Sequence, residues 1–124
     1  MAIASAICNT FKTEILKAVH NFTASTGNTF NLALYTSSAS MGASTTAYAS
    51  TNEITNTSGS SYSAKGKALT SVTPVLDSST AVCDFANISW TSASFTANGC
   101  LIFNEDATGD PGVCVVAFGG DKTV

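Results

Sequence analysis

Hydrophobic residues recur at spacings of three and four near the start of the chain, a pattern that predicts a helix. Charged residues fall on the opposite face, and Asn9 is placed to cap the first turn. We therefore expect an amphipathic helix over residues 9–22, after a short amino-terminal segment (residues 1–8). One short helix cannot bury its apolar stripe alone, so it should lie on a sheet or against a neighbouring subunit. The apolar positions are Ile7, Phe11, Ile15, Ala18, Val19 and Phe22.

From residue 28 onward the apolar period falls to two, which predicts β-strands. In the first of them Phe30, Leu32 and Leu34 alternate with Asn31 and Ala33, as in a half-buried sheet. Polar turns such as Asp77-Ser78-Ser79 and Asp110-Pro111-Gly112 separate the later runs. This spacing of strands favours an antiparallel arrangement. The predicted strands are 29–36, 68–76, 80–89, 94–104 and 113–119.

Three further expectations concern segments without clear periodicity. Residues 37–63 form a long polar stretch, in which we expect one short strand and a contact function. Pro74 should mark a strand edge or a bulge. The last residues, 120–124, are expected to form a tail that docks elsewhere.

These elements together predict the fold class. We expect a single domain over residues 1–124, mainly β, with the antiparallel β-sandwich or barrel-like domain (residues 28–119) preceded by one amphipathic amino-terminal α-helix. A chain of this length can bury a hydrophobic core without needing disulfides or a structural metal ion.

Composition narrows the classes of partner. Only 10% of the 124 residues are charged, the net charge is -3, and all five basic residues are lysines. An acidic chain with scattered lysines is a poor ligand for nucleic acid or an anionic membrane, so we expect neither as a partner. No apolar run reaches the length of a membrane span, and no signal peptide is recognisable, so synthesis in the cytoplasm is expected.

The spacing of the four cysteines matches no known cysteine motif. Cys8, Cys83, Cys100 and Cys114 are separated by 75, 17 and 14 residues, unlike a metal knuckle or a redox pair. Buried, reduced thiols acting as small hydrophobic groups are the favoured interpretation. A late disulfide and a metal site stay open as alternatives.

Candidate catalytic chemistry is sparse. The single histidine, His20, has no nucleophile or orienting carboxylate near it in sequence, and we predict a structural role at the helix end. The acidic segment 104–110 has oxygen ligands at spacings that suit calcium, yet it lacks the closing Glu of an EF-hand, and a hairpin loop between two strands is the favoured interpretation. We therefore predict no enzymatic activity, no cofactor and no metal, and leave calcium binding by this loop open.

Several segments resemble a family of small virion proteins of tailed bacteriophages. They are residues 29–38, Thr45-Thr46-Ala47-Tyr48, the strand 66–73, Val82-Cys83-Asp84-Phe85 with Ser89-Trp90, and 118–122. The resemblance spans nearly the whole chain, with 37–63 as its least specific part. It implies a virion structural protein, with a capsid cement or decoration role expected first and a neck or tail component as the alternative.

The resemblance also implies partners and a location. The expected partners are the major capsid protein and copies of the chain itself, or neck and tail proteins in the alternative, and the expected location is the virion. Contacts of this kind need many weak interactions and no catalytic group. A carbohydrate- or receptor-binding module, using Tyr48 and Tyr62 in exposed loops, is a third possibility. The candidate partner contacts are Ile7, Phe11, Ile15, Met41, Tyr48 and Tyr62.

Overall fold

The computed structural model describes residues 2–55 and 61–124. In these residues seven strands form two antiparallel sheets, a five-stranded sheet of order β1-β7-β6-β2-β3 and a two-stranded sheet β4-β5. Neither sheet closes into a barrel, so the mainly β prediction is confirmed in its sandwich-like form. The elements are β1 (Ala6–Ile7), α1 (Asn9–Leu16), β2 (Phe30–Tyr35), β3 (Lys67–Ala68), β4 (Ser71–Asp77), β5 (Thr80–Phe85), β6 (Thr96–Asn104) and β7 (Gly112–Thr123).

The core lies on both faces of the central strands β2 and β6. Ala33 and Leu101, which are register partners, are buried on one face, and Leu34 and Cys100 are buried on the other. The prediction of a half-buried first strand is therefore wrong. The alternation placed Ala33 on the polar, solvent-facing side of the strand. Its side chain is small, so other residues pack closely over this face and bury it.

The helix is shorter than predicted. It ends at Leu16, because Ala18 takes a left-handed conformation (φ 60°) and the Val19 N–H bonds back to the carbonyl of Glu14. This reversal carries Phe22 into the core, where its ring stacks on Phe30 with centroids 4.3 Å apart. The expected cap is also wrong: Cys8 precedes the first turn and makes no side-chain cap bond. The apolar spacing up to Phe22 thus reflects core packing beyond the end of the helix.

The polar stretch 37–63 holds no strand in its described residues, so the predicted short strand there is wrong. Residues 56–60 lie outside the described part. The stretch is instead attached through isolated bridges, in which Met41, Ala47 and Glu53 pair with Ile3, Pro111 and Tyr35. These single bridges are enough to hold the polar stretch on the sheet because side-chain hydrogen bonds, described below, also attach it.

The carboxyl end belongs to the sheet rather than to a separate tail. β7 extends to Thr123, which pairs with Thr96, after a wide bulge in which Gly119 and Gly120 adopt positive φ. The predicted tail at 120–124 is thus wrong, since the Val124 N–H also bonds to the carbonyl of Phe95 at 3.0 Å. Glycine permits the left-handed turn that returns the strand to its ladder.

The hairpin β4–β5 confirms the predicted turn and bulge. Asp77 pairs with Thr80 across a two-residue turn, and the register of β4 shifts between Val72 and Val75, where Pro74 lies. A proline removes a ladder donor, so it is tolerated at this irregularity. The strand predicted over 80–89 ends at Phe85.

Candidate interaction site

The strands β4 and β5 form a hairpin whose outer part contacts little of its own chain. Every residue from 72 to 84 is exposed, including Val75 at 60% and Leu76 at 72%. We call residues Ser71–Phe85 the projecting hairpin. An isolated two-stranded hairpin is marginally stable in water, and apolar side chains on it add to the cost of exposure. Exposed apolar side chains of this kind are typical of a surface to which another molecule binds.

The base of the projecting hairpin is anchored by a few specific contacts. The ring of Phe85 lies 5.8 Å from that of Phe30 and 6.2 Å from that of Phe22. On β4, the Thr73 hydroxyl accepts a hydrogen bond from the Ala24 N–H at 3.0 Å. The hairpin is thus held at one end by an aromatic cluster, while its turn, with Ser78 at φ 55°, is exposed to solvent.

An apolar groove of about 920 Å³ lies beside the base of the hairpin. Its floor is a row of cross-strand partners on one face of the large sheet, and α1 contributes Phe11 to its wall. The row matters because neighbouring strands present these side chains in register, as one continuous apolar strip. The strip consists of Leu32 on β2, Ile102 on β6, Cys114 on β7 and Ile7 on β1.

The four thiols divide between the core and this groove. Cys8 and Cys100 are buried, and burial raises their pKa to about 11 and about 12, so both stay protonated and unreactive at neutral pH. Cys83 and Cys114 line the groove, and burial is the main cause of their raised pKa as well. All four are free. The prediction of a buried thiol is wrong for Cys83, which is exposed on β5.

A second cluster, under the polar stretch, is built around the buried carboxylate of Glu53. Its Oε1 accepts a hydrogen bond from the Tyr48 hydroxyl at 2.5 Å, and its Oε2 accepts from the Tyr62 hydroxyl at 2.5 Å and the Lys65 N–H at 2.8 Å. The Tyr62 oxygen in turn accepts from the Leu34 N–H at 3.0 Å. We call Glu53, Tyr48, Tyr62 and Lys65 the Glu53 network. It fixes the polar stretch to the end of β2.

The chemistry of the Glu53 network favours a structural role. Burial is the first cause that raises the pKa of both Tyr48 and Tyr62, and their bonds to Glu53 raise it further, so neither phenol is poised to ionise. The Lys65 ammonium lies 2.8 Å from Asp110 and 3.4 Å from Glu105, and its bond to Asp110 is the main cause of its raised pKa. A catalytic acid or base would need its pKa moved toward neutrality, which is the opposite direction.

The acidic loop at residues 104–110 bonds to donors of its own chain. Asp106 Oδ2 accepts from the Thr29 N–H at 2.6 Å, and Asn104 Oδ1 accepts from two N–H groups of the loop. Asp110 and Glu105 face Lys65, as described above. Among residues 2–55 and 61–124 no group of three or more His, Cys, Asp or Glu side chains is placed to hold a metal ion. The arrangement is that of a hairpin loop.

His20 is buried in an amide and carboxylate cluster. Its Nε2 lies 3.0 Å from Glu14 Oε1, and its Nδ1 lies 3.1 Å from Asn104 Nδ2. Since Asn104 Oδ1 is used by backbone N–H groups, its Nδ2 must be the donor, which leaves the His20 proton on Nε2. Both ring nitrogens are therefore occupied by structural contacts.

The predicted partner contacts fall into two groups. Ile7 and Ile15 are exposed, whereas Phe11 and Met41 are half-buried and pack on the core. The prediction for Tyr62 is wrong, because its side chain is 0% exposed and bonds to Glu53. Tyr48 is half-buried, with its ring stacked on Phe103 at 4.9 Å. The structure brings Ile7 and Phe11 together at the groove, and Tyr48 and Tyr62 together at the carboxylate of Glu53.

Sequence reasoning missed the projecting hairpin as a contact surface. Its strands have the same Val-, Leu- and Thr-rich pattern as the buried strands, so periodicity alone gives no sign of exposure. The available signal was Pro74 in β4, which argues for a sheet edge. Tyr62 is buried and Tyr48 is half-buried, so the exposed tyrosines that favoured a carbohydrate-binding module are not present.

Compared with protein-family models, with curated proteins and with solved structures, the chain matches none. Within the described residues, no helix has the length and apolar character needed to cross a membrane. The resemblance to virion proteins therefore stays a prediction, and any function has to be argued from the surfaces described above.

Proposed function

We propose that this protein is a structural subunit of a tailed-bacteriophage virion, acting as a cement protein that holds neighbouring subunits of the capsid lattice together. The observation that carries the proposal is the projecting hairpin with its adjoining apolar groove. Together they present Val75 and Leu76 outward and leave the strip from Leu32 to Ile7 only partly covered. A protein that works by adhesion needs exposed surface of this kind.

The energetics of such a surface suit a repeated lattice. Burying one exposed Val or Leu side chain contributes roughly 1.5–3 kcal/mol, so a few of them give only a modest contact. In a lattice, each subunit engages several neighbours at once, and the contacts reinforce one another through their high effective concentration. Modest contacts repeated many times are sufficient to stabilise a shell.

The ionisable groups support a role without bond chemistry. The carboxylate of Glu53 is held by two tyrosine hydroxyls, the ammonium of Lys65 by two carboxylates, and the imidazole of His20 by Glu14 and Asn104. Groups that are fully engaged by their own chain stabilise a fold, whereas catalytic groups face a cleft that a substrate can enter.

Counting copies of the chain in purified virions by quantitative mass spectrometry tests the proposal. A cement protein is expected at many tens to hundreds of copies, on the order of the number of capsid subunits. About twelve copies or fewer, as in a ring of cyclic symmetry, would favour the neck or tail alternative. Absence of the chain from mature particles would reject both.

Heating the particles separates the capsid role from the neck role. Virions that lack the chain should release their genome at a lower temperature than complete virions, and adding back the purified chain should restore the difference. Because a neck or tail component touches few capsid subunits, its loss would leave the lattice transition unchanged. An unchanged transition in particles with many copies would contradict a cement function.

A further inference from the structure

The open edge of β5 is a site for another strand. In the described residues β5 pairs with β4 alone, and the far edge of β4 is interrupted by Pro74 and by the bulge. β5, by contrast, contains no proline and no lysine. An antiparallel ladder leaves the N–H and C=O groups of every second residue directed away from the partner strand, and an unguarded edge of this kind is a template for pairing.

The apolar groove lies on this open side of β5. Its wall includes six consecutive residues, 83–88, and no residue of β4. An added strand beside β5 would therefore lie over the strip from Leu32 to Ile7. In a β-sandwich the two sheets cover each other's inner faces, and here the second sheet is too narrow to cover the first.

Only one of the two faces of the projecting hairpin lies on the side of the groove. Leu76 pairs with Ala81, and Val75 pairs with Val82, so these two pairs lie on opposite faces. Ala81 shares its face with Cys83 and Phe85, which both line the groove. Leu76 therefore continues the groove-side face of the hairpin, out beyond the part that its own chain covers.

The surface area of the chain matches that of a subunit with an uncovered contact. A folded monomer of 12.6 kDa is expected to expose about 6,200 Å². This chain exposes 6798 Å², an excess of roughly 600 Å². A standard protein interface buries about 800 Å² on each partner, so this chain has surface to spare for a contact that covers the hairpin.

We propose that a second copy of this chain occupies the site, with the two β5 strands paired antiparallel about a two-fold axis at Val82. In this register Ala81 and Cys83 of one copy exchange backbone hydrogen bonds with Cys83 and Ala81 of the other, which are the groups directed away from β4. The sheet becomes β4-β5-β5-β4. Antiparallel pairing brings the turn end of each hairpin to the base of the other, so Leu76 and Ala81 of each copy cover the groove of its partner.

Charge agrees with this arrangement. Asp84 is the only charged residue of β5, and the proposed register sets it opposite Thr80 of the second copy, at the ends of the paired region. Like charges directly across a ladder would destabilise it, and this register avoids them. The contact is isologous, so each copy contributes both a hairpin and a groove.

Sedimentation equilibrium on the purified chain and two matched variants tests the proposal. The wild-type chain is expected to dimerise at about 100 µM, and Leu76→Asp should weaken the dimer at least about tenfold by placing a charge over the apolar groove. Val75→Asp, at an exposed residue on the other face of the hairpin, should leave the dimer within about twofold of wild type. Circular dichroism of each variant checks that the fold is intact.

Disulfide trapping gives a second, independent measurement. Ala81→Cys places a thiol opposite Cys83 of the other copy, at the spacing of paired strands that a disulfide can bridge. Diamide should then link the two chains, taking two electrons for each bond formed as two thiol protons are released. Val75→Cys, on the opposite face, should not be linked faster than wild type.

Three results would overturn the proposal: a wild-type chain that stays monomeric at about 1 mM, equal effects of the two Asp variants, or no trapping of Ala81→Cys. The inference rests on the proposed function in that both assign the hairpin to subunit contacts. It is tested on the isolated chain, however, so a monomeric result would leave the copy number in virions undecided, and a chain absent from virions could still dimerise.

Discussion

The polar stretch and the projecting hairpin reverse what their compositions lead one to expect. The polar stretch, rich in Ser and Thr, holds the buried Glu53 and the fully covered Tyr62. The hairpin, rich in Val and Thr, leaves Val75 and Leu76 in solvent. Polar sequence therefore forms an anchored part of this protein, whereas a Val- and Leu-containing hairpin lies exposed to solvent.

The two regions differ in burial because they differ in the contacts that the rest of the chain offers them. The Glu53 carboxylate lies within bonding distance of hydroxyls five and nine residues away and of the Lys65 N–H, so its burial is compensated. The hairpin has only its base in contact with the aromatic cluster around Phe30. Satisfied hydrogen bonds can bury a polar loop, but apolar side chains are buried only where another element lies over them.

Removing the Glu53 carboxylate should have the largest effect on stability. Glu53→Ala leaves two tyrosine hydroxyls and the Lys65 N–H without their acceptor, and we expect the free energy of unfolding to fall by about 4 kcal/mol. Urea denaturation measures this. Asp77→Ala, at the exposed turn of the hairpin, is the control and should change stability by less than about 0.5 kcal/mol. Similar losses for both variants would contradict the contrast between the regions.

A matched pair of leucines sharpens the same contrast. Leu101→Ala, at a site that is 1% exposed, should cost about 3 kcal/mol through lost burial and a cavity. Leu76→Ala should change stability by less than about 0.5 kcal/mol when measured on dilute monomer. If Leu76→Ala destabilised the monomer as much as Leu101→Ala, the hairpin would have to be covered by its own chain.

High pH should unfold the protein through its buried thiols. Burial raises the pKa of Cys8 and Cys100 above the ordinary value near 9, so the unfolded chain loses these protons first and stability falls as pH rises through that range. The slope approaches about 1.4 kcal/mol per pH unit for each thiol only above the unfolded pKa, so between pH 9 and 10 the two should cost about 2 kcal/mol together. Thermal melting across this range measures the fall. Cys8→Ala should make the slope shallower, and an unchanged slope would argue against the buried Cys8 thiol as one of its sources.

Smaller losses of stability are expected for two tyrosine substitutions, of which Tyr62→Phe should have the larger effect. The change removes one donor to Glu53 and the acceptor of the Leu34 N–H but keeps the ring, and should cost about 2 kcal/mol. Tyr35→Phe removes a single bond to the Ala49 carbonyl, and about 1 kcal/mol is expected. Urea denaturation of both variants checks the order. A larger loss for Tyr35→Phe would show that the Glu53 network does not fix the polar stretch.

The sequence was a good guide to local structure. Alternation identified β2, β6 and the hairpin, and the turn at Asp77-Ser78-Ser79 and the irregularity at Pro74 lie where the residue types place them. The predicted helix was too long because the spacing of Phe22 from the preceding apolar residues suits either a helical face or packing in the core. Tyr62 was misassigned because its partner, Glu53, lies within a stretch that has no periodicity.

What the sequence determined alone is the class of the fold: one helix, antiparallel strands and tight polar turns, all of which depend on residues close together along the chain. Only the tertiary structure decided which apolar strands are covered and which polar groups are buried. Burial depends on elements brought together from distant parts of the chain. Leu101 and Leu76 both lie in strands of similar pattern, and they differ only in whether other elements pack over them.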